Sequence, residues 1–319
     1  MNGPTNSERK RKASESTREL PQLSPSAGLG DQRDLEIPES SDTVPRPPRA
    51  GLPVLAGRFR MRNIIGYGSY GLVFRGLDEQ SRGEVAIKIL KSANYGDQFI
   101  ERHWAREQKL AARLDISGAP KGYTWGNEDQ RGARVSYLVT ELIEGETLKE
   151  WRLERDSVER DEINALALAI ARVLAEFQEL GLIHRDIKPG NIMVKPNGQV
   201  KIMDFGLHRF VDEEPAPRSK RAIGTPHYMP PELIAGLQGG LSSDIYSFAH
   251  SLFFIIEGHP AFEGGDVVEV LKSHRRDPMP DLSGAFHGST LETMIHAMGG
   301  KKPARRPKID DIIRALEEM

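Results

Sequence analysis

The sequence predicts an α+β fold in two lobes, a strand-rich N-lobe followed by a helical C-lobe. Three observations carry that prediction. Short β-type runs punctuated by glycine fill most of residues 58–143, helical periodicity dominates residues 144–319, and a dense polar segment with paired carboxylates lies at the junction of the two textures.

Composition bounds the function classes. The chain has 319 residues, 44 Lys plus Arg against 46 Asp plus Glu, a net charge of -2, 38% hydrophobic side chains and no cysteine. This balance is that of an ordinary globular protein and demands no nucleic-acid partner. Lack of cysteine excludes disulfide scaffolds, CxxC redox pairs, Fe–S clusters and thiolate zinc sites, and favours a reducing, cytoplasmic location. No apolar run approaches the roughly 18 residues of a membrane span, and the candidate from Leu252 to Ile256 stops at Glu257. The oligomeric state is left open.

Residues 1–50 hold seven prolines, seven serines and no aromatic residue. Too few apolar groups are present to offset an ordering entropy of roughly 1 to 2 kcal/mol per residue, so this stretch is expected to be a disordered tail ending in the stiff linker Pro45 to Gly51. Its basic run, Arg9 to Lys12, reads as a solvated charge cluster or as an address. The folded domain is expected over 58–319, with the N-lobe at 58–143 and the C-lobe at 144–319.

The N-lobe elements follow in order. FRMRNII, LVFRGL and EVAIKIL read as successive antiparallel strands, and Ile100, Trp104, Glu107, Leu110, Ala111 and Leu114 share one face of a helix over 99–114. Further strands are expected around 121–125 and 135–141. In the C-lobe, Ile163, Leu166, Ile170, Leu174 and Phe177 mark a helix that ends at Gly181. A hairpin follows, with IMV at 192–194, the turn signal Asn197-Gly198, and VKIM at 200–203. Helical patterns then recur to the end.

Chemistry concentrates at four places. Gly66-Tyr67-Gly68-Ser69-Tyr70-Gly71-Leu72-Val73 fits GxGxxGxV, a strand–turn–strand whose bare backbone N–H groups can approach phosphates. Flanking strands, rather than a following helix, argue against a dinucleotide fingerprint. Lys88 sits inside the apolar strand VAIK, and Glu107 inside the apolar face of the next helix. Because an unpaired buried charge costs several kcal/mol, the economical expectation is that they face each other; the alternative is two surface charges in phase. Finally, His184-Arg185-Asp186-Ile187-Lys188-Pro189-Gly190-Asn191 precedes the hairpin and Asp204-Phe205-Gly206 follows it. Two carboxylates, an amide and a lysine on one rim make a site for magnesium and a transferring phosphate.

This ordered set, with Gly224-Thr225-Pro226-His227-Tyr228-Met229-Pro230-Pro231-Glu232 and a late Arg306-Pro307, resembles the eukaryotic-type Ser/Thr protein kinase family in its compact, bacterial-like form. The resemblance covers about residues 58–319 and implies a bilobal protein kinase fold with ATP and Mg2+ in the cleft. It implies that Asp186 accepts the proton of a substrate hydroxyl and Lys188 stabilises the transferring phosphate. Asn191 and Asp204 would hold metal, and Lys88, fixed by Glu107, the α- and β-phosphates. Gly66, Gly68 and Gly71 would cover the phosphates; Ile65, Val73 and Ala86 would wall the adenine, with Glu141 and Ile143 in the hinge. Glu232 and Arg306 match a structural ion pair, Asp244 a support of the catalytic loop, and Thr225 a residue that positions it.

By the same resemblance the partners are protein substrates with Ser/Thr acceptors. Arg185 marks a subclass controlled by phosphate on the activation segment, and Ser219 is either an autophosphorylation site or a plain loop serine. Two rival readings are a nucleotide-binding pseudokinase or scaffold, and a small-molecule phosphotransferase. His208 stands where alanine or serine usually follows DFGL, and DISGAPKG at 115–122 replaces the family's usual segment after the glutamate helix.

Overall fold

Alternation along EVAIKIL decides how the N-lobe is layered. Val85 and Ile87 point to one face of their strand, and Ala86, Lys88 and Leu90 to the other. The computed structural model describes residues 53–68, 70–91, 94–130, 132–213 and 224–319. The expected tail, the basic run, the linker and Ser219 lie outside the described residues.

In the N-lobe, β1 (Val54–Leu55), β2 (Phe59–Tyr67), β3 (Gly71–Asp78), β4 (Glu84–Leu90), α1 (Gln98–Ala111), β5 (Gly122–Gln130) and β6 (Ala133–Glu141) form an antiparallel sheet of order β1-β2-β3-β4-β6-β5 with one helix. One face buries Leu55, Phe59, Met61, Val85, Ile87, Tyr137 and Val139. The opposite face packs Leu90 and Leu138 against Trp104 and Ala111 of α1. Asp97 caps α1, accepting from Phe99 and Ile100 N–H at 2.8 and 3.2 Å, which satisfies two of the helix's orphan donors.

Two boundaries differ from the periodicity. Helix α1 stops at Ala111, three residues before the end of its apolar stripe. Leu114 is buried in the core of the C-lobe, so its apolar character serves the lobe junction rather than the helix. Strand β5 runs on to Gln130 because pairing with β6, down to Gln130↔Ala133, stabilises the polar stretch NEDQ, which carries no alternation of its own.

The C-lobe contains β7 (Glu146–Thr147), α2 (Leu148–Leu153), α3 (Arg160–Glu179), β8 (Leu182–Ile183), β9 (Ile192–Val194), β10 (Val200–Ile202) and β11 (Arg209–Phe210). Helices α4 (Pro231–Ile234), α5 (Leu241–Glu257), α6 (Val267–Arg276), α7 (Thr290–Met298) and α8 (Ile309–Glu317) complete it. The core is one cluster in which Ile163, Ala167, Ile170 and Leu174 of α3 meet Ile245, Phe248, Ala249 and Leu252 of α5. Helix α5 is buried from Ser243 through Ile256, its polar Ser243, Asp244, Ser247, His250 and Ser251 included. The hairpin β9–β10 pairs Val194↔Val200 around Asn197-Gly198, with Gly198 at φ 79°. It stands at the edge of the C-lobe next to the N-lobe and sets the platform of the site.

Candidate active site

Strand parity puts the Lys88 side chain on the α1 side of the sheet, where its ammonium donates to Glu107 Oε1 at 2.7 Å and to Asp204 Oδ1 at 2.9 Å. Lys88 therefore links β4, α1 and the segment after the hairpin. Burial alone would strip its proton, but Asp204 and Glu107 outweigh burial and push it up. Burial likewise raises the Glu107 carboxyl, with Lys88 opposing. For Asp204 burial acts upward too, but the Lys88 ammonium wins and holds it below the usual carboxylate range. Glu107 Oε2 is buried with no hydrogen-bond partner among the described residues.

The glycine-rich turn lies over this lysine. Gly68 N–H donates to Gly71 O at 2.9 Å, and Lys91 Nζ holds Gly68 O at 3.2 Å. A Cβ on Gly68 would sit 3.6 Å from Lys88 Cε, and one on Gly71 would lie 2.7 Å from Ile89 O, so at Gly71 no larger residue fits without a backbone shift. Tyr70, half-buried under the turn, has its hydroxyl pKa pushed up to about 12, chiefly by burial and then by Asp204 and Asp186.

The loop between β8 and β9 carries the second group. Asp186 Oδ1 accepts from Thr225 N–H at 3.1 Å and Oγ1–H at 2.9 Å; Oδ2 accepts from Asn191 Nδ2 at 3.0 Å and lies 2.8 Å from Lys188 Nζ. Lys188 Nζ also donates to Thr225 Oγ1 at 2.6 Å. The amide nitrogen of Asn191 is committed to Asp186 Oδ2 and O, which leaves Oδ1 as the oxygen it can offer. Arg185 and Asp204 have positive φ, 71° and 65°, a cost accepted where side chains must be aimed. That cost is met from below: Asp244 of α5 accepts from His184 and Arg185 N–H at 2.8 Å each. His184 takes the Asp186 N–H on Nδ1 at 3.3 Å and donates from Nε2 to Met203 O at 3.0 Å. It is thus neutral, and burial holds it down to about 4. Phe205 packs on His184 and on Phe177 of α3, anchoring Asp204's neighbour in the core.

The remaining expected residues lie along the sheet. Gly66 pairs with Val73, Ala86 with Thr140, and Ile65 is 45% exposed on β2. Glu141 N–H is taken by Lys121 O at 2.8 Å, whereas Ile143 N–H has no partner among the described residues. The Glu141 side chain turns away to Lys201 Nζ at 2.5 Å, a lobe-to-lobe contact for which VKIM gave no periodic signal. Thr225 and Asp244 were legible only through the family resemblance, since neither spacing nor burial in the sequence points to Asp186.

Comparison with known proteins agrees with this geometry. A family model for the protein kinase domain matches residues 59–315.

The chain belongs to the protein kinase family.

Among its relatives, the serine/threonine-protein kinase PknA of Mycobacterium tuberculosis is 36% identical over 267 residues, covering 81% of this chain and 60% of PknA. A probable serine/threonine-protein kinase PknB of Corynebacterium glutamicum is 32% identical over 230 residues, 71% of this chain and 36% of that one. A probable serine/threonine-protein kinase of Clostridium acetobutylicum is 30% identical over 255 residues, 79% of this chain and 38% of that protein. The chain thus spans at most about three-fifths of the length of these relatives. Its fold is the bilobal α+β kinase fold.

Protein kinases use ATP and Mg2+, and the residues present suit both. The chain offers hard oxygen donors in Asp204 and Asn191 Oδ1, a cation in Lys88 beneath a glycine turn too tight for side chains at Gly71, and an N–H at Ile143 that no described residue takes. Among the described residues no helix is long and apolar enough to cross a membrane.

Proposed function

We propose that the chain is a Ser/Thr protein kinase that transfers the γ-phosphate of ATP to protein hydroxyls, its own included. One observation supports this above the rest: the Lys88–Glu107–Asp204 cluster and the Asp186–Lys188–Thr225–Asn191 cluster gather a complete acid, base and metal-ligand set from separate segments of both lobes. In this reading the kinase domain covers 58–319, with Val54–Leu55 adding an edge strand just before it.

When bound, ATP supplies the phosphoryl group and Mg2+ neutralises its charge; Asp204 and Asn191 would hold the metal and Lys88 the α- and β-phosphates. Asp186 receives the proton of the acceptor hydroxyl. Its Oδ1 is shaped by two Thr225 donors and its Oδ2 by Asn191, so the carboxylate is oriented before any substrate arrives. Lys188, 2.8 Å from Asp186 Oδ2, keeps positive charge where the transferring group gains negative charge. Gly66, Gly68 and Gly71 cover the phosphates, while Ile65, Val73, Ala86, Glu141 and Ile143 border the base. Protein substrates and a cytoplasmic location complete the reading, supported respectively by the relatives' names and by the cysteine-free sequence.

The test is incubation of the full chain with Mg-ATP, followed by intact-mass measurement beside Asp186→Ala. Stepwise mass gain in the wild type and none in the variant is expected. No gain in the wild type despite ATP binding would replace this reading with that of a nucleotide-binding scaffold.

A further inference from the structure

Packing of Trp104 and Ala111 on Leu90 and Leu138, with hydrogen bonds from Trp104 to Ser136 and from Gln108 to Tyr137 O, holds α1 to the sheet. Its ionic tie to the segment that starts at Asp204 runs through Glu107 and Lys88, and phosphate transfer at this site needs Glu107 to stay on Lys88. The neighbouring residue supplies a second tie to that segment. Arg106 Nη2 donates to Glu213 Oε2 at 2.7 Å, and Glu213 belongs to the same segment whose start, Asp204, is bound by Lys88.

The turn that presents Glu213 is built for the purpose. Glu213 N–H donates to Phe210 O at 3.2 Å, closing a tight turn after β11, and Arg209 Nη2 donates to Glu213 O at 2.7 Å, locking it. Arg185 is near enough that, after burial, the charges of Arg209 and Arg106 push its pKa down while Glu213 acts in the opposite sense. Glu213 thus meets Arg106 of α1 through its carboxylate and Arg209 of β11 through its backbone carbonyl.

We propose that Glu213 is a positioning residue, which through Arg106 clamps α1 to the segment after Asp204 at a second point and so keeps Glu107 in register with Lys88. The proposal rests on the kinase reading above. Chain order makes the clamp a closed ring: Asp204 to Lys88, Lys88 to Glu107, Glu107 by one peptide to Arg106, Arg106 to Glu213, and Glu213 back along the chain to Asp204. A change at either end of the segment is therefore felt by α1. Both side chains are partly exposed, 39% and 32%, so the effect of the pair is modest, about two- to five-fold.

The test uses the full chain as wild type, Glu213→Ala, Arg106→Glu, Glu213→Arg and the exchanged double R106E/E213R. Amide hydrogen exchange of residues 98–111 is followed in the nucleotide-free protein, and kcat/KM for ATP is measured beside it. Each single variant is expected to exchange faster in α1 and to lose about two- to five-fold in kcat/KM, with the exchanged double recovering both. Unchanged α1 exchange in the single variants, or a double no better than its worse parent, overturns the clamp. An Asp186→Ala protein that transfers phosphate like the wild type would instead overturn the kinase reading, and the exchange result would still decide the clamp.

Discussion

Arg306 has a side chain that is 0% exposed. It makes two hydrogen bonds to Glu232, at 2.6 and 2.9 Å, and others to Ser242 O and Gly300 O at 2.8 Å, while its guanidinium lies 4.7 Å from the Tyr246 ring centre. Ser243 Oγ–H adds a bond to Glu232 Oε1 at 2.7 Å. A buried pair so fully satisfied need not add net stability, but breaking it strands a charge. Arg306→Leu is expected to cost about 3 to 5 kcal/mol in urea unfolding, and the double variant with Glu232→Leu less than Arg306→Leu alone. Of the residues at this scale, Glu232 and Arg306 were legible because they fall in a motif with a fixed order, and Lys88 and Glu107 because a charge inside an apolar pattern needs a partner. Glu213 carried no such mark: an acidic residue in an irregular stretch looks the same whether it binds an arginine or only water.

At the scale of elements, α5 and α6 enclose a histidine cluster. Tyr246 and His250 of α5 meet His274 of α6 with rings 4.6 to 5.8 Å apart, and Tyr246 Oη lies 2.9 Å from His274 Nδ1. Burial holds His274 down to about 3 and His250 well below its ordinary value, and it lowers nearby Lys301 to about 8. The sign follows directly. Below an unfolded-state value of about 6.5 the unfolded chain takes up protons that the folded chain refuses, so stability falls as pH drops from about 6.5 toward 3. Urea midpoints measured from pH 7 to 4.5 are expected to decline steadily, and His274→Gln to flatten the decline by about one proton, ~1.4 kcal/mol per pH unit. The elements themselves were readable where they repeat a period: β4, the stripe of α1 and α3 ending at Gly181. The two-residue strands β1, β7, β8 and β11 were not, because two residues have no period and their existence depends on a distant partner such as Ile183↔Arg209.

At the scale of the whole molecule, DISGAPKG lashes the lobes together. Gly118 N–H and Ser117 Oγ–H donate to Glu176 of α3 at 3.0 and 2.5 Å, Ile202 N–H of β10 donates to Gly118 O at 2.8 Å, and Lys201 reaches Ala119 O at 3.1 Å. Contact is close enough that a Cβ on Gly118 would lie 2.4 Å from Val173 Cγ1. Gly118→Ala is expected to destabilise by about 1 to 3 kcal/mol through overpacking. Adding Val173→Ala, which vacates that space, is expected to cost less than the two separate losses combined; thermal unfolding of the four proteins reads the coupling. The segment that replaces the family's usual one thus joins the chain after α1 to α3 and β10, with a close approach to α3 at Gly118.

The amino-acid order alone determined the two-lobed α+β architecture, the family, and the residue types of the site, because periodicity and motif spacing are local properties of a chain. Only the folded structure decided which groups meet. Lys88 and Asp204 are far apart in sequence yet 2.9 Å apart in space, Thr225 closes on Asp186, and Asp244 reaches up from α5 to hold two backbone N–H groups. The same holds for the protonation of Glu107, Asp204 and His184, which depends on burial and on the charges facing them. The reason is physical: desolvation and Coulomb energy depend on distance through space, and distance along the chain carries little information about it.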